Sequence, residues 1–96
     1  MNKLKEEFQL RGKVVRLARE IQDTKCMELA RLIEIDSDFL TKMEREERTI
    51  SKRNEIKILR GLRIIGVTDS QLVALTLIVN YSESEVIENG NTEKFN

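Results

Sequence analysis

Apolar residues along this chain recur at helical rather than strand spacing. Side chains three, four and seven positions apart share one helix face, whereas the faces of a strand repeat every second residue. Leu4, Phe8, Val15 and Ala18 follow the helical spacing and predict a first helix reaching Ile21. Gly12 can interrupt it, so residues 1–11 read either as helix or as a separate arm. Asp23-Thr24 ends that element and caps the next, which carries Leu29, Ala30 and Ile33. After a break at Glu34-Ile35-Asp36, Asp36 caps a third helix from Ser37 to about Arg45, with Leu40 and Met43 on one side. Glu46 to Ser51 is a polar loop apart from Ile50. Ser51 caps a fourth helix holding Ile56, Ile58, Leu59 and Leu62, with Gly61 near its end and Gly66 in a turn. Thr68-Asp69-Ser70-Gln71 is a capping box that opens a fifth helix, Asp69 to Tyr81. A weaker box at Ser82 to Glu85 allows a further short turn. Asn89-Gly90-Asn91 is expected to end regular structure, leaving residues 82–96 as an acidic, flexible tail.

The fifth helix departs from the usual amphipathic pattern. Leu72, Val73, Ala74, Leu75, Leu77, Ile78 and Val79 surround it, broken only by Gln71, Thr76 and Asn80. One stripe against its own domain cannot hide them all. An exposed apolar patch of this kind marks an interface, so Leu72, Leu75, Ile78 and Val79 are expected to form a homodimer contact. The competing account is a core helix packed deep against the other four.

Composition narrows the function classes. Ninety-six residues with no proline and four glycines make one all-α domain, with residues 1–81 as its body. A single cysteine, Cys26, rules out an internal disulfide, and with no histidine it cannot build a zinc site. No histidine-based nucleophile pair or glycine-rich phosphate loop occurs, so neither an enzyme nor a cofactor is expected. No run approaches the roughly 18 apolar residues of a membrane span. The opening MNKLKEEFQL lacks the apolar core of a signal peptide. The expected location is the cytoplasm.

Net charge is zero, but its distribution is uneven. Residues 1–20 carry six basic side chains against three acidic ones, whereas Glu83, Glu85, Glu88 and Glu93 face Lys94 alone in residues 81–96. A basic body beside an acidic end is compatible with a nucleic-acid partner. Two short helices joined by a tight turn cross steeply, leaving the outer face of the second free to enter a DNA major groove. On the third helix that face carries Ser37, Asp38, Thr41 and Lys42, spaced to point one way while Leu40 and Met43 point inward. Lys42 can donate to guanine, Asp38 can accept from cytosine, and the two hydroxyls suit either base edges or phosphate. Arg45, Arg48, Thr49, Lys52 and Arg53, with the backbone amides near Ser51, are candidates for phosphate contact. Glu46 and Glu47 interrupt that patch, and a solvated, ion-paired loop is the bland alternative.

The combined pattern resembles the phage repressor and Cro type of helix-turn-helix, the Xre family, over about Gly12 to Leu72. Val15-Arg16 with Arg19 match the pattern of its first helix and Leu29-Ala30 that of its second. Ile35 matches the apolar residue of its turn, Leu40 and Met43 its recognition-helix core, and Glu44 the terminal glutamate. The match departs where the family often has glycine, here Glu34 and Glu46, and where its second helix begins with glutamine, here Cys26. The resemblance implies a five-helix, lambda-repressor-like domain. It implies a phosphate-contact position at Cys26 and a structural pair between Arg19 and Glu44. It also implies a sequence-specific DNA-binding regulator, of repressor type and of bacterial or phage origin, acting as a homodimer on double-stranded DNA. The alternative is a protein-interaction module on the same scaffold, such as an antirepressor or a toxin–antitoxin component, with a regulatory protein as partner.

Overall fold

The computed structural model describes residues 9–92, with side chains as far as Ser84. The expected helical places of Leu4 and Phe8 lie outside that range. Five helices follow one another: α1 (Gly12–Ile21), α2 (Cys26–Ile33), α3 (Ser37–Glu44), α4 (Lys52–Ile64) and α5 (Asp69–Thr92). No strand occurs among the described residues. The protein is an all-α, five-helix domain.

Its core draws on every helix. Val14, Val15 and Ala18 come from α1, Leu29, Ala30 and Ile33 from α2, Leu40 and Met43 from α3, Ile58 and Leu62 from α4, and Val79 from α5. Leu10, Ile50 and Val67 close it from the connecting segments. Each large aliphatic side chain buried in this way contributes about 1.5–3 kcal/mol. α3 packs on α1 and α2, α4 packs on α2 and α1, and α5 reaches the body chiefly through α1.

Two glycines permit the closest approaches. A Cβ on Gly12 would collide with the carbonyl oxygen of Met43 and the Cα of Glu44. The break expected at Gly12 is found: residues 9–11 are not helical, and α1 begins at Gly12. The missing side chain lets that end of α1 press on the backbone at the end of α3. A Cβ on Gly61 would meet side-chain carbons of Ile33 and Leu29, which lets α4 lie close on α2.

Side chains set most helix starts as their types require. Asp36 accepts from the amide of Phe39 and Ser51 from that of Asn54. Thr68 and Gln71 exchange reciprocal bonds at the start of α5. The start of α2 differs from expectation. Lys25, not Thr24, precedes the helix, and Glu28 reaches back to the Lys25 amide at 2.7 Å. Thr24 instead donates its hydroxyl to the carbonyl of Gln22.

The first four helices all end alike. Asp23, Glu34, Glu46 and Gly66 have φ of 52°, 59°, 64° and 107°. In each case the following amide bonds five residues back: Thr24 to Arg19, Ile35 to Ala30, Glu47 to Lys42 and Val67 to Leu62. This left-handed closure satisfies carbonyls that a helix end leaves without partners.

α5 corrects two expectations. It does not stop at Tyr81 but continues through Ser82 and through Asn89-Gly90-Asn91 to Thr92, so residues 82–92 are helix rather than tail. Ser82 starts nothing new because the helix is already running there. The apolar surface of α5 is also divided differently. Val79 is 6% exposed and belongs to the core, while Leu72 and Leu75 are half-buried against it. Ile78 is exposed, as are Val73, Leu77 and Tyr81. The chain bends by 119° between α4 and the part of α5 up to Ser84, and no single helix among the described residues is long and apolar enough to cross a membrane.

Candidate nucleic-acid interface

The α2–α3 unit is held by a three-residue connection. Glu34 takes the left-handed conformation, Ile35 packs against the core, and Asp36 caps α3. With Leu40 and Met43 buried, the opposite face of α3 is turned outward. Asp38 and Lys42 are exposed on it, whereas Ser37 and Thr41 are half-buried. The Thr41 hydroxyl lies 3.4 Å from the Cys26 thiol at the start of α2. Cys26 thus braces α3 through one of its polar residues. Phe39, which the periodic pattern does not single out, is half-buried against the core.

Arg19 and Glu44 meet in a two-pronged pair. The guanidinium donates to both carboxylate oxygens, at 2.9 and 2.8 Å, and its third nitrogen donates to the Thr24 carbonyl at 2.9 Å. Their side chains are only 11% and 5% exposed. Planar, bidentate geometry of this sort suits arginine far better than lysine. The hydrogen bond to Glu44 holds the Arg19 guanidinium above its ordinary pKa despite burial. The pair ties α1 to the last residue of α3 and so fixes the angle at which α3 is presented.

The proposed phosphate contacts are not equivalent. Arg45, Arg48, Thr49, Ser51, Lys52 and Arg53 are all exposed. Ser51 spends its hydroxyl on the α4 cap, and the Lys52 ammonium lies 3.1 Å from the buried Glu55. Arg45, Arg48 and Arg53 form no ion pair with the described residues.

Two residues of consequence escape a reading by periodicity. Arg11 donates to Glu46 through two bonds of 2.9 Å, to Glu83 at 3.0 and 2.8 Å, and to Asn80 at 3.3 Å. Lys13 joins Glu83 at 3.0 Å. Glu46 therefore does more than interrupt a basic patch: it links the α3–α4 loop to the start of α1, while Glu83 links α5 to the same point. Glu55 is buried and accepts from the Leu10 amide at 2.8 Å, fixing the chain where it enters the fold. Neither contact leaves a signal in sequence spacing, because each joins residues more than 30 positions apart.

The Arg11 hydrogen bonds hold both carboxyls below the usual range: Glu46 is lowered, and Glu83 is pushed down to about 2. A depressed folded-state pKa gives stability that is present above the unfolded value, about 4.3, and lost as pH falls through the folded one. Glu83 faces solvent, so the contribution is small and screened by salt. The melting-temperature gap between the native chain and Glu83→Gln should close as pH is lowered from about 5 toward 2. Circular dichroism melts over that range check it. A gap independent of pH contradicts the pairing.

Among known proteins, no family model, no curated protein and no solved structure matches the chain.

Proposed function

We propose that the protein is a non-enzymatic, cytoplasmic, sequence-specific DNA-binding regulator that reads the major groove with α3. The observation that carries the reading is a short helix with Asp38 and Lys42 outward, Leu40 and Met43 inward, and its end locked by Arg19 and Glu44. Base readout falls to Lys42, Asp38 and Ser37, with Thr41 restrained by Cys26. Backbone contact falls first to Arg45, Arg48 and Arg53. Selection of bound fragments from random DNA, followed by mobility shifts at graded salt, tests this. A phosphate-binding protein loses affinity steeply as salt rises. Binding to no fragment, at any salt, rejects it.

Lys42→Ala should weaken binding to the selected site by about 1–3 kcal/mol and relax specificity at one or two positions. Titration at matched salt measures it, with the helical spectrum as a control for folding. Unchanged affinity removes Lys42 from the reading face.

A homodimer is proposed because half-site recognition by so short a helix calls for two copies, with their recognition helices about 34 Å apart. Ala74, Ile78 and Tyr81 recur at i, i+4 and i+7 on the outward side of α5 and supply the self-complementary patch. Ile78→Glu should yield a folded monomer in sedimentation. Leu75→Glu is a poorer test, because Leu75 packs against the core. A native chain that sediments as a monomer at micromolar concentration without DNA rejects the dimer.

One observation favours a second reading. Arg11 and Lys52 are occupied by carboxylates, and Asp38 and Glu47 are exposed beside α3. A protein-interaction module on this scaffold would use that mixed-charge face for a regulatory protein partner, and its binding would not follow the salt dependence of DNA.

A further inference from the structure

A cleft of about 260 Å³ lies between the end of α2 and α4. Its lining combines the buried Ile33 and the exposed Leu32 and Ile64 with Lys57, Arg60 and Glu34. Apart from Glu55, which is buried, every charged residue of α4 is a cation. Lys52 is held by that Glu55, and Arg63 by Asp69. Lys57 and Arg60, the two cations of the cleft, form no ion pair with the described residues. Arg60 is exposed and Lys57 half-buried, so both ammonium and guanidinium charges stand beside uncovered aliphatic surface.

We propose that this cleft docks an acidic segment of a partner protein, with one large apolar side chain inserted and flanking carboxylates on Lys57 and Arg60. Charge complementarity carries the choice of occupant. Two cations without partners attract an anionic ligand and reject a basic one. Phosphate alone, on DNA or a lipid surface, satisfies only half of the site. It gains nothing from Leu32 and Ile64, and it is repelled by the Glu34 carboxylate on the same lining. A peptide answers each part. An aliphatic or aromatic anchor covers Leu32 and Ile64 against Ile33, as a single buried side chain does at the centre of many interfaces. Its acidic neighbours meet Lys57 and Arg60, and its backbone amides donate to Glu34. The cleft is formed by α2 and α4 and leaves the outward face of α3 free, so DNA reading is not needed for its occupation.

A displayed library of random peptides, selected on the full chain and depleted on its Lys57→Glu/Arg60→Glu variant, supplies the probe. The enriched peptides should share one large apolar residue flanked by Asp or Glu. A synthetic copy of one, followed by fluorescence anisotropy, should lose at least about tenfold in affinity on the double charge reversal. Leu32→Ser, at an exposed position, should weaken it separately, and the helical spectrum should be kept in both variants. Failure to enrich any peptide overturns the proposal. So do enriched peptides without acids, or affinity that a glutamate peptide lacking the apolar residue reproduces. Duplex DNA or phosphatidylserine vesicles that bind the native chain more tightly than the peptide, and are lost on the same charge reversal, would give the face to phosphate instead.

Discussion

Replacing Glu44 with alanine should cost about 3–5 kcal/mol of unfolding free energy, the penalty for leaving a buried guanidinium without its partner. Both side chains of the Arg19 pair are nearly closed to solvent, and Glu44 offers two aligned acceptors. The Thr24 carbonyl satisfies only one of the three nitrogens after the change. Arg19→Met alone strands the carboxylate in the same way, so the two single variants should each cost more than the interaction contributes. The double variant should fall well short of their sum. A urea-unfolding double-mutant cycle measures the difference, and a coupling energy indistinguishable from zero would make these independent charges. If α3 reads DNA, both single variants should also weaken binding more than their helix content suggests, because the pair sets how α3 is presented.

Gly12→Ala is the second large effect. In an ordinary helix this change is mildly favourable. Here the added carbon meets a carbonyl oxygen and a Cα of the backbone at the end of α3, and neither can rotate aside. Overpacking of this kind costs about 1–3 kcal/mol, and more when backbone must move. Gly61→Ala offers the control. Its contacts are with side-chain carbons of Ile33 and Leu29, which are buried but can shift by side-chain rotation where the backbone met by Gly12 cannot. Urea midpoints should therefore rank the native chain, then Gly61→Ala, then Gly12→Ala. Equal losses would show that α1 and α3 separate more easily than their approach implies.

Local chemistry explains why much of the fold could be read from the chain. Asp36, Ser51 and Thr68 with Gln71 cap helices because their short polar side chains suit that task, and Leu29, Leu40 and Ile58 keep helical spacing because one face must be buried. The pattern ran out where long-range contacts decide. The stretch from Ser82 looked like a charged tail because its side chains are polar, yet Glu83 meets Arg11, 72 positions away. Val79 looked available for an interface because α5 is apolar on several sides, and only the packing on α1 shows which side is spent. In the candidate site, Lys42 and Asp38 were legible from spacing. The hold of Cys26 on Thr41 was not, since a thiol at that position carries no sequence signature of a partner.

The left-handed helix closures have a consequence for what this sequence leaves unused. Three of the four are made by carboxylates, Asp23, Glu34 and Glu46, where glycine fits without penalty. Each such residue gives up roughly 1–2 kcal/mol of backbone energy, and a negative charge at a helix C-terminus opposes the helix dipole as well. Glu46 recovers part of this through Arg11; the exposed Asp23 and Glu34 make no ion pair with the described residues. The fold thus carries a reserve of conformational strain at its corners rather than in its core. The chain sits below the ceiling its own architecture allows, and the room to rise lies at two turn positions outside the hydrophobic interior.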